Sequence, residues 1–249
     1  MTYEGDLSKV QAGGQSRASA KGESIRDRIT IRQLEPKDSI RELTDLLHCA
    51  FKLDGQHSYA YPAAKQSEEE TRMQIANGEC LVAELDGRLI GIGMIWPPRL
   101  VAQQRWCCFH RSAHLRQLAV HPGFQGLGIG TKLLEYCEQS AIRMGAWELA
   151  GIAPIGSRQI NLYRRANFKL IEYIVREDTN YDSVLFSKWL QKDRKYRIIF
   201  HIMRSIRLCD TFVAYKLGIL GHRRHVVTAI LHGLRFWRIR RDCGNSTGK

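Results

Sequence analysis

The sequence predicts an α/β protein of the α+β type: a mixed sheet flanked by helices, followed by a basic, helical C-terminal extension. Three observations predict it. The stretch "CLVAELDGRLIGIGMIWPP" (80–98) reads as a hairpin, with apolar runs Leu81 to Glu84 and Leu89 to Ile95 turned at Asp86-Gly87. The stretch "LRQLAVHPGFQGLGIGTKLLEY" (115–136) runs from an apolar strand, through Pro122 and four glycines, into a helix. The charge is uneven as well. Residues 188–249 hold 15 lysines and arginines against 3 acids, a net +12 of the chain's +13.

Each element has its own signal. Thr30 to Gln33 is a first strand. A helix starts near Pro36 and carries the stripe Ile40, Leu43, Leu46, Leu47 and Ala50. Gln66 to Ala76 is a second helix, and its Glu68-Glu69-Glu70 suits a solvated first turn at the positive end of the helix dipole. The hairpin follows, then an irregular stretch from Pro97 to Ser112 with Trp106 and the adjacent Cys107 and Cys108. A strand from about Ala113 to Val120 leads into the glycine turn. Leu133, Leu134, Cys137, Ala141 and Ile142 mark a helix to about Arg143. Trp147 to Ile152 is a strand, and Ser157 to Arg165 a short helix with Ser157 placed to cap it. Phe168 to Val175 and Tyr181 to Trp189 close the mixed sheet.

The 249 residues suffice for one ordinary domain plus an extension. The expected division is a disordered polar leader over residues 1–24, a domain over 25–190 and a basic amphipathic extension over 191–249. The leader "MTYEGDLSKVQAGGQSRASAKGES" has no apolar core of the kind a signal peptide carries. Seven cysteines include no C-x-x-C pair, and adjacent Cys107-Cys108 is poor geometry for zinc, so no metal is expected. Reduced thiols in a cytoplasm are the simplest account. No run of 18 uncharged apolar residues reads as a membrane span.

The glycine turn is the chemical clue. Gly126, Gly128 and Gly130 let the backbone approach a ligand closely. The first amides of the following helix have no internal partner and lie at the positive end of its dipole. Such a turn binds anions, phosphate above all. A Walker A loop needs glycine, lysine, then serine or threonine, but the order here is Gly130-Thr131-Lys132. A G-x-G-x-x-G fingerprint fails at Thr131 or at Leu133. The pattern Q/R-x-x-G-x-G/A fits Gln125 to Gly130. A glycine-rich turn without a ligand could carry the same letters, so context decides. Downstream, Leu162-Tyr163-Arg164-Arg165-Ala166-Asn167-Phe168 fits L-Y-x-x-x-G-F with Asn167 for glycine. Asparagine is the non-glycine residue that best tolerates a left-handed backbone.

Together, over roughly residues 27–190, these segments resemble the GNAT superfamily of acetyl-CoA-dependent N-acetyltransferases. The resemblance implies a mostly antiparallel central sheet and transfer of an acetyl group from acetyl-CoA directly to a primary amine, on a small molecule or a protein. It implies that the backbone around Leu118, Ala119 and Val120 binds the acetyl carbonyl and pantetheine arm. The loop Gln125, Gly126, Leu127, Gly128, Ile129, Gly130 and Thr131 would bind the pyrophosphate. Tyr163 matches the tyrosine that protonates the departing thiolate, although a buried aromatic with a bonded hydroxyl would look the same.

"AHLRQLAVH" (113–121) resembles the arylalkylamine branch, whose strand carries H-x-H. His114 matches the first position as the candidate base, and Arg116 stands at the second. Side chains at 114, 116, 118 and 120 share one strand face. His114 then lies roughly 13 Å from Leu118 at ~3.3 Å per residue, and would act through ordered water or serve structure alone. Arg116 stays charged and cannot be a base. It suits binding an acidic acceptor or a phosphate, or pairing with Glu84 or Glu172. His110 and His121 are weaker candidates. Gly156 and Gln159 stand where many relatives have asparagine and alanine.

Residues 194–208, "RKYRIIFHIMRSIRL", read as an amphipathic helix, with Arg194, Arg197, His201, Arg204 and Leu208 near one line and Ile198, Ile199, Ile202, Met203 and Ile206 on the other side. A second apolar and basic segment runs from Val226 to Arg241. This extension suits packing on the enzyme or on a second copy in a homodimer. It equally suits binding an anionic surface, RNA or an acidic membrane. The rival reading is a catalytically degenerate, CoA-binding GNAT-like module serving as a nucleic-acid or membrane adaptor; the intact Tyr163 and loop favour the enzyme. A chain ending at Gln191 is expected to fold without the extension.

Overall fold

The structure is a computed structural model and describes residues 24–52, 59–98, 111–175, 180–191 and 194–216. The expectations for residues 1–23, for Trp106, Cys107, Cys108 and His110, and for Val226 to Arg241 lie outside the described residues.

Seven strands form one sheet: β1 (Thr30–Gln33), β2 (Glu79–Leu85), β3 (Arg88–Trp96), β4 (Ser112–Val120), β5 (Glu148–Pro154), β6 (Lys169–Ile174) and β7 (Ser183–Trp189). Their order is β1-β2-β3-β4-β5-β7-β6. β4 and β5 run parallel; every other neighbouring pair is antiparallel. The helices are α1 (Ile40–Lys52), α2 (Glu68–Ala76), α3 (Ile129–Arg143), α4 (Arg158–Arg165) and α5 (Arg194–Lys216). This is the mixed, mostly antiparallel sheet between helices that the sequence predicts.

Local chemistry explains the elements. Asp86 and Gly87 both take positive φ, 51° and 81°, which a tight hairpin turn between β2 and β3 requires. The α1 helix starts at Ile40 and not near Pro36. Asp38 instead accepts from Arg32 and from the Glu35 amide, and Ser39 Oγ accepts from the Glu42 amide. In α2, Ser67 and Glu70 form a reciprocal capping box, leaving Glu68 and Glu69 exposed. Ser157 holds the cap position of α4 without making a capping bond. Asn167 ends that helix turn at φ 65°, the conformation its side chain best tolerates.

Neighbouring residues on a strand point to opposite faces, which sorts the core. On one face α3 seats Leu133, Leu134 and Cys137 with Leu149 and Phe186. On the other, Leu43, Leu46 and Leu47 of α1 pack on Val82, Ile92 and Met94. The same face beside β6 and β7 receives α5, with Phe200 against Ala150, Ile171 and Leu185.

The α5 helix runs beyond Leu208, to Lys216. Phe200, Arg207, Thr211 and Ala214 face the sheet, while Ile198, Ile199, Ile202 and Ile206 are exposed. Arg207 pairs with Glu172, both side chains only 7% exposed. Thr211 Oγ1 accepts from the Tyr173 amide at 3.2 Å, and the Tyr215 hydroxyl donates to Asp182 at 2.9 Å. Polar bonds to the sheet, more than its isoleucines, set which side of α5 is inward.

Candidate active site

The site begins where β4 and β5 part. They pair through only four residue pairs, ending at Leu115 opposite Gly151. Beyond that point β4 continues to Val120 and β5 to Pro154, and a gap opens between them.

The β4 backbone is prepared for that gap. Met94 pairs with Gln117 but Ile95 with Leu115, so Arg116 is an extra, bulged residue. The bulge reverses the side-chain alternation. Leu118 and Val120 therefore pack with Ala113 and Leu115 in the α3-side core, and Gln117 and Ala119 take the opposite face. His114, Arg116, Leu118 and Val120 thus do not share a face, as an unbroken strand would have required. His121 donates its amide to Ile90 O at 2.9 Å. Alternate amides point the same way, so Ala119 also addresses β3, and the amides of Leu118 and Val120 point toward the gap. Of the expected trio, Ala119 has its amide turned away.

At the closed end of the gap stands Tyr163. It is buried, with its ring against Phe168 and Phe186 at 5.3 and 5.6 Å between centroids. A Cβ placed on Gly151 would lie 2.7 Å from the Tyr163 hydroxyl oxygen, so the hydroxyl occupies the space above a glycine on β5. Burial pushes the phenol well above its ordinary range, keeping it protonated. The sequence signal for Gly151 is a lone glycine inside the strand "ELAGIAP".

At the open end lies the glycine loop. Gly126 and Gly128 have φ 81° and 85°, and Gly128 caps α3 without any side-chain bond. The first α3 amides, from Ile129 to Thr131, precede the first intrahelical bond, Lys132 N to Gly128 O at 3.0 Å, and have no partner within the helix. Gln125 folds back and donates its side-chain amide to Val120 O at 3.1 Å. A Cβ on Gly130 would meet only Leu162 and Val120, each at 3.8 Å, which explains why alanine also fits that pattern position. An open pocket of about 380 Å³ adjoins the loop, lined by Arg26, Asp27, Leu127, Gly128, Thr131 and Lys132, among others. Free amides, a helix N-terminus, Arg26 and Lys132 fit a pyrophosphate there. Arg26 and Lys132 carry no motif and were not legible as site residues.

His114 sits on β4 between Trp96 of β3 and Ala150 of β5. It is 2% exposed, both ring nitrogens lack a partner, and burial lowers its pKa to about 3. The Arg116 guanidinium lies over the Trp96 ring, 4.3 Å from its centroid. Glu84 pairs with Arg32, and Glu172 with Arg207. His121 is a loop residue whose Nδ1 accepts from the Gly123 amide.

A bridge crosses the gap on the face opposite α3. The Tyr59 hydroxyl donates to Ile155 O, just past β5, at 2.6 Å. Gln66 accepts from Gln117 of β4 at 2.7 Å. Residues 59–66 therefore span from β5 to β4. The rings of Tyr59 and Tyr61 pack on Tyr181, and Asn180 accepts from the Ala60 amide. The Tyr61 hydroxyl reaches Gln159 at 3.5 Å, in the place where relatives carry alanine. Nothing in the local sequence pattern marks this bridge.

A parallel strand pair that parts beyond Leu115 and Gly151, a tyrosine at its apex and a glycine-rich loop at its mouth make up the candidate site. The acetyltransferase (GNAT) family model matches residues 40–168. The chain belongs to the GNAT acetyltransferase family.

This GNAT chain is also similar in fold to several solved structures. One is yncA, a putative acetyltransferase from Salmonella typhimurium with its cofactor acetyl-CoA, at 18% identity and TM-score 0.53, covering 67% of this chain and 96% of that one. Another is the ribosomal-protein-alanine N-acetyltransferase from Brucella melitensis, at 19% identity and TM-score 0.52, covering 65% and 99%. A third is the ribosomal-protein-S18-alanine N-acetyltransferase from Escherichia coli, at 18% identity and TM-score 0.50, covering 66% and 96%. No curated protein matches the sequence. No helix among the described residues is long and apolar enough to cross a membrane, and no group of His, Cys, Asp or Glu among them could hold a metal ion.

Proposed function

We propose that this acetyltransferase moves an acetyl group from acetyl-CoA to a primary amine by direct transfer, in the cytoplasm. Acetyl-CoA supplies the activated acyl thioester. The amides of Gln125 to Thr131 would hold its pyrophosphate, and those of Leu118 and Val120 its arm and acetyl carbonyl. Tyr163 keeps a proton on its hydroxyl for the departing sulfur. His114 stays neutral and accepts a hydrogen bond from water; the proton lost by the amine passes through that water to bulk solvent, from which the Tyr163 hydroxyl regains the proton it gave to the sulfur. Arg116 borders the acceptor side and suits an acceptor with a carboxylate or phosphate.

The single observation that carries this reading is the Tyr163 hydroxyl at the closed end of a gap whose open end holds the glycine loop. The acceptor is a small amine or a protein amino group. The ribosomal-protein N-acetyltransferases among the similar folds support including N-terminal peptides in the search. The basic extension supports recruitment to an anionic surface, RNA or an acidic membrane, and its helix a homodimer contact. The test is calorimetric titration with acetyl-CoA, followed by a panel of amines and peptides read by thiol release. Binding with thiol release for at least one acceptor is expected. Tight binding without turnover on any acceptor would instead favour the adaptor reading.

A further inference from the structure

The α5 helix meets the sheet through Phe200 and Arg207 and turns a line of apolar side chains directly away from it. Ile198, Ile199, Ile202, Ile206, Phe212 and Val213 make up that line, each 39–58% exposed. From Ile198 to Val213 it runs about 22 Å at 1.5 Å per residue. Holding a contiguous apolar row in water forgoes the free energy of burying it, so the row marks a contact surface.

The two borders of the row differ in charge. Arg197, His201 and Arg204 follow at helical spacing along one of them. Arg204 donates to Leu170 O at 3.2 Å, which seats it next to Lys169 at the start of β6. Burial lowers the His201 pKa, and the positive charges of Arg204, Lys169 and Arg197 lower it further, so the three cations gather around one ring. Among the described residues no acid pairs with any of the three. Asp210, the one acid of α5, stands on the other border, 4.0 Å from Arg207. The exposed Lys216 closes the C-terminal end, its ammonium over the Phe212 ring.

An aliphatic row bordered by cations without acids is complementary to the boundary between acidic lipid headgroups and acyl chains. Other occupants fit less well. A second copy meeting the row helix to helix would bury a strip about 22 Å by 10 Å, well short of the ~800 Å² per partner of a standard interface. RNA would engage the cations but leave the isoleucines in water, because its bases stack on aromatic rings. We propose that the Ile198–Val213 face of α5 docks on an anionic lipid bilayer, with its isoleucines at the acyl boundary and Lys169, Arg197 and Arg204 on headgroup phosphates. The proposal deepens the recruitment reading of the extension, rests on that reading alone and is independent of acetyl transfer. Because α5 and the 59–66 bridge lie on the same face of the sheet, docking turns that side of the gap toward the membrane.

The test uses the full chain and mixed phosphatidylglycerol and phosphatidylcholine vesicles, read by flotation, beside pure phosphatidylcholine vesicles and transfer RNA. Binding to the anionic vesicles is expected, ~10-fold or more tighter than to phosphatidylcholine alone. I198Q/I202Q/I206Q keeps the charge and is expected to weaken that binding by ~10-fold or more; K169Q/R197Q keeps the apolar row and should weaken it as well. Both variants should keep the parent's melting shift with acetyl-CoA, so a failure of docking reads separately from a failure of the acetyl-transfer reading. Amide exchange in the parent is expected to slow across 198–213 on the anionic vesicles only, which tests the face without any substitution. Unchanged vesicle binding in the isoleucine variant would place the attachment elsewhere and overturn the proposal. Binding to RNA and to neither vesicle would overturn it in favour of nucleic acid. A dimer that forms without lipid and is abolished by I198Q/I202Q/I206Q would overturn it in favour of a second copy.

Discussion

The Tyr163 hydroxyl rests on the one position of β5 that has no side chain, Gly151, so that any Cβ there would come within 2.7 Å of the phenol oxygen. The glycine sets the depth of the tyrosine, and both belong to one device. G151A is expected to displace the hydroxyl and lower turnover by ~10²-fold with acetyl-CoA affinity little changed, the pattern of a lost general acid. Y163F should give the same loss, and the double variant no more than either alone. Steady-state kinetics beside calorimetry checks this. Additive losses would mean that the two residues act separately.

The loop makes a graded prediction. G128E places a carboxylate where a pyrophosphate would lie and forces a non-glycine residue to φ 85°; loss of acetyl-CoA binding in a folded protein is expected. G130A meets only ordinary contacts at 3.8 Å and should bind acetyl-CoA as the parent does. Calorimetry on the two variants, with circular dichroism for folding, reads both. Unchanged affinity in G128E would remove the loop from the site.

His114 makes a pH prediction. Its folded pKa of about 3 lies below the ordinary 6.5, so the unfolded chain binds the extra proton between those values. Stability from the buried neutral ring is present above pH 6.5 and is lost as pH falls toward 3, with a slope of at most ~1.4 kcal/mol per pH unit. H114L should flatten the pH dependence of melting in that window. A parallel dependence in parent and variant would show that the ring is not protonated on unfolding there.

The Glu172–Arg207 pair makes a stability prediction. With both side chains 7% exposed, E172Q leaves the buried Arg207 guanidinium only the longer contact to Asp210 at 4.0 Å and should cost ~3–5 kcal/mol in urea melts. A chain ending at Gln191 leaves Glu172 alone and uncovers Ile171 and Leu185, and should melt lower still. A chain ending at Lys216 keeps the pair. Equal melting of the two truncated chains would mean that α5 adds nothing to the body of the enzyme.

Much of the fold was legible because its signals are local. Asp86-Gly87, the glycine loop and the L-Y-x-x-x-N-F run each demand one backbone conformation, and each takes it. The sequence was silent where a contact joins distant residues. The bulge at Arg116 depends on how β4 registers with β3, so the strand alone put Leu118 and Val120 on the wrong face. The bridge over residues 59–66 depends on Ile155 and Gln117, far along the chain. The inward side of α5 depends on Glu172 and Asp182; its amphipathic pattern alone did not say which side would meet the sheet.

The four residue pairs between β4 and β5 have a mechanical consequence. They form a short seam between a half-sheet of β1 to β4 and another of β5 to β7. Within the sheet no other strand pairing among the described residues joins the halves, and α3 ties them from one face through Leu133, Leu149 and Phe186, so whatever fills the gap acts as a wedge and the 59–66 bridge as a strap. Occupancy of the gap then becomes a property of the whole sheet. Amide exchange should slow on both sides of the seam when it is filled, in outer strands such as β1 and β6 as well.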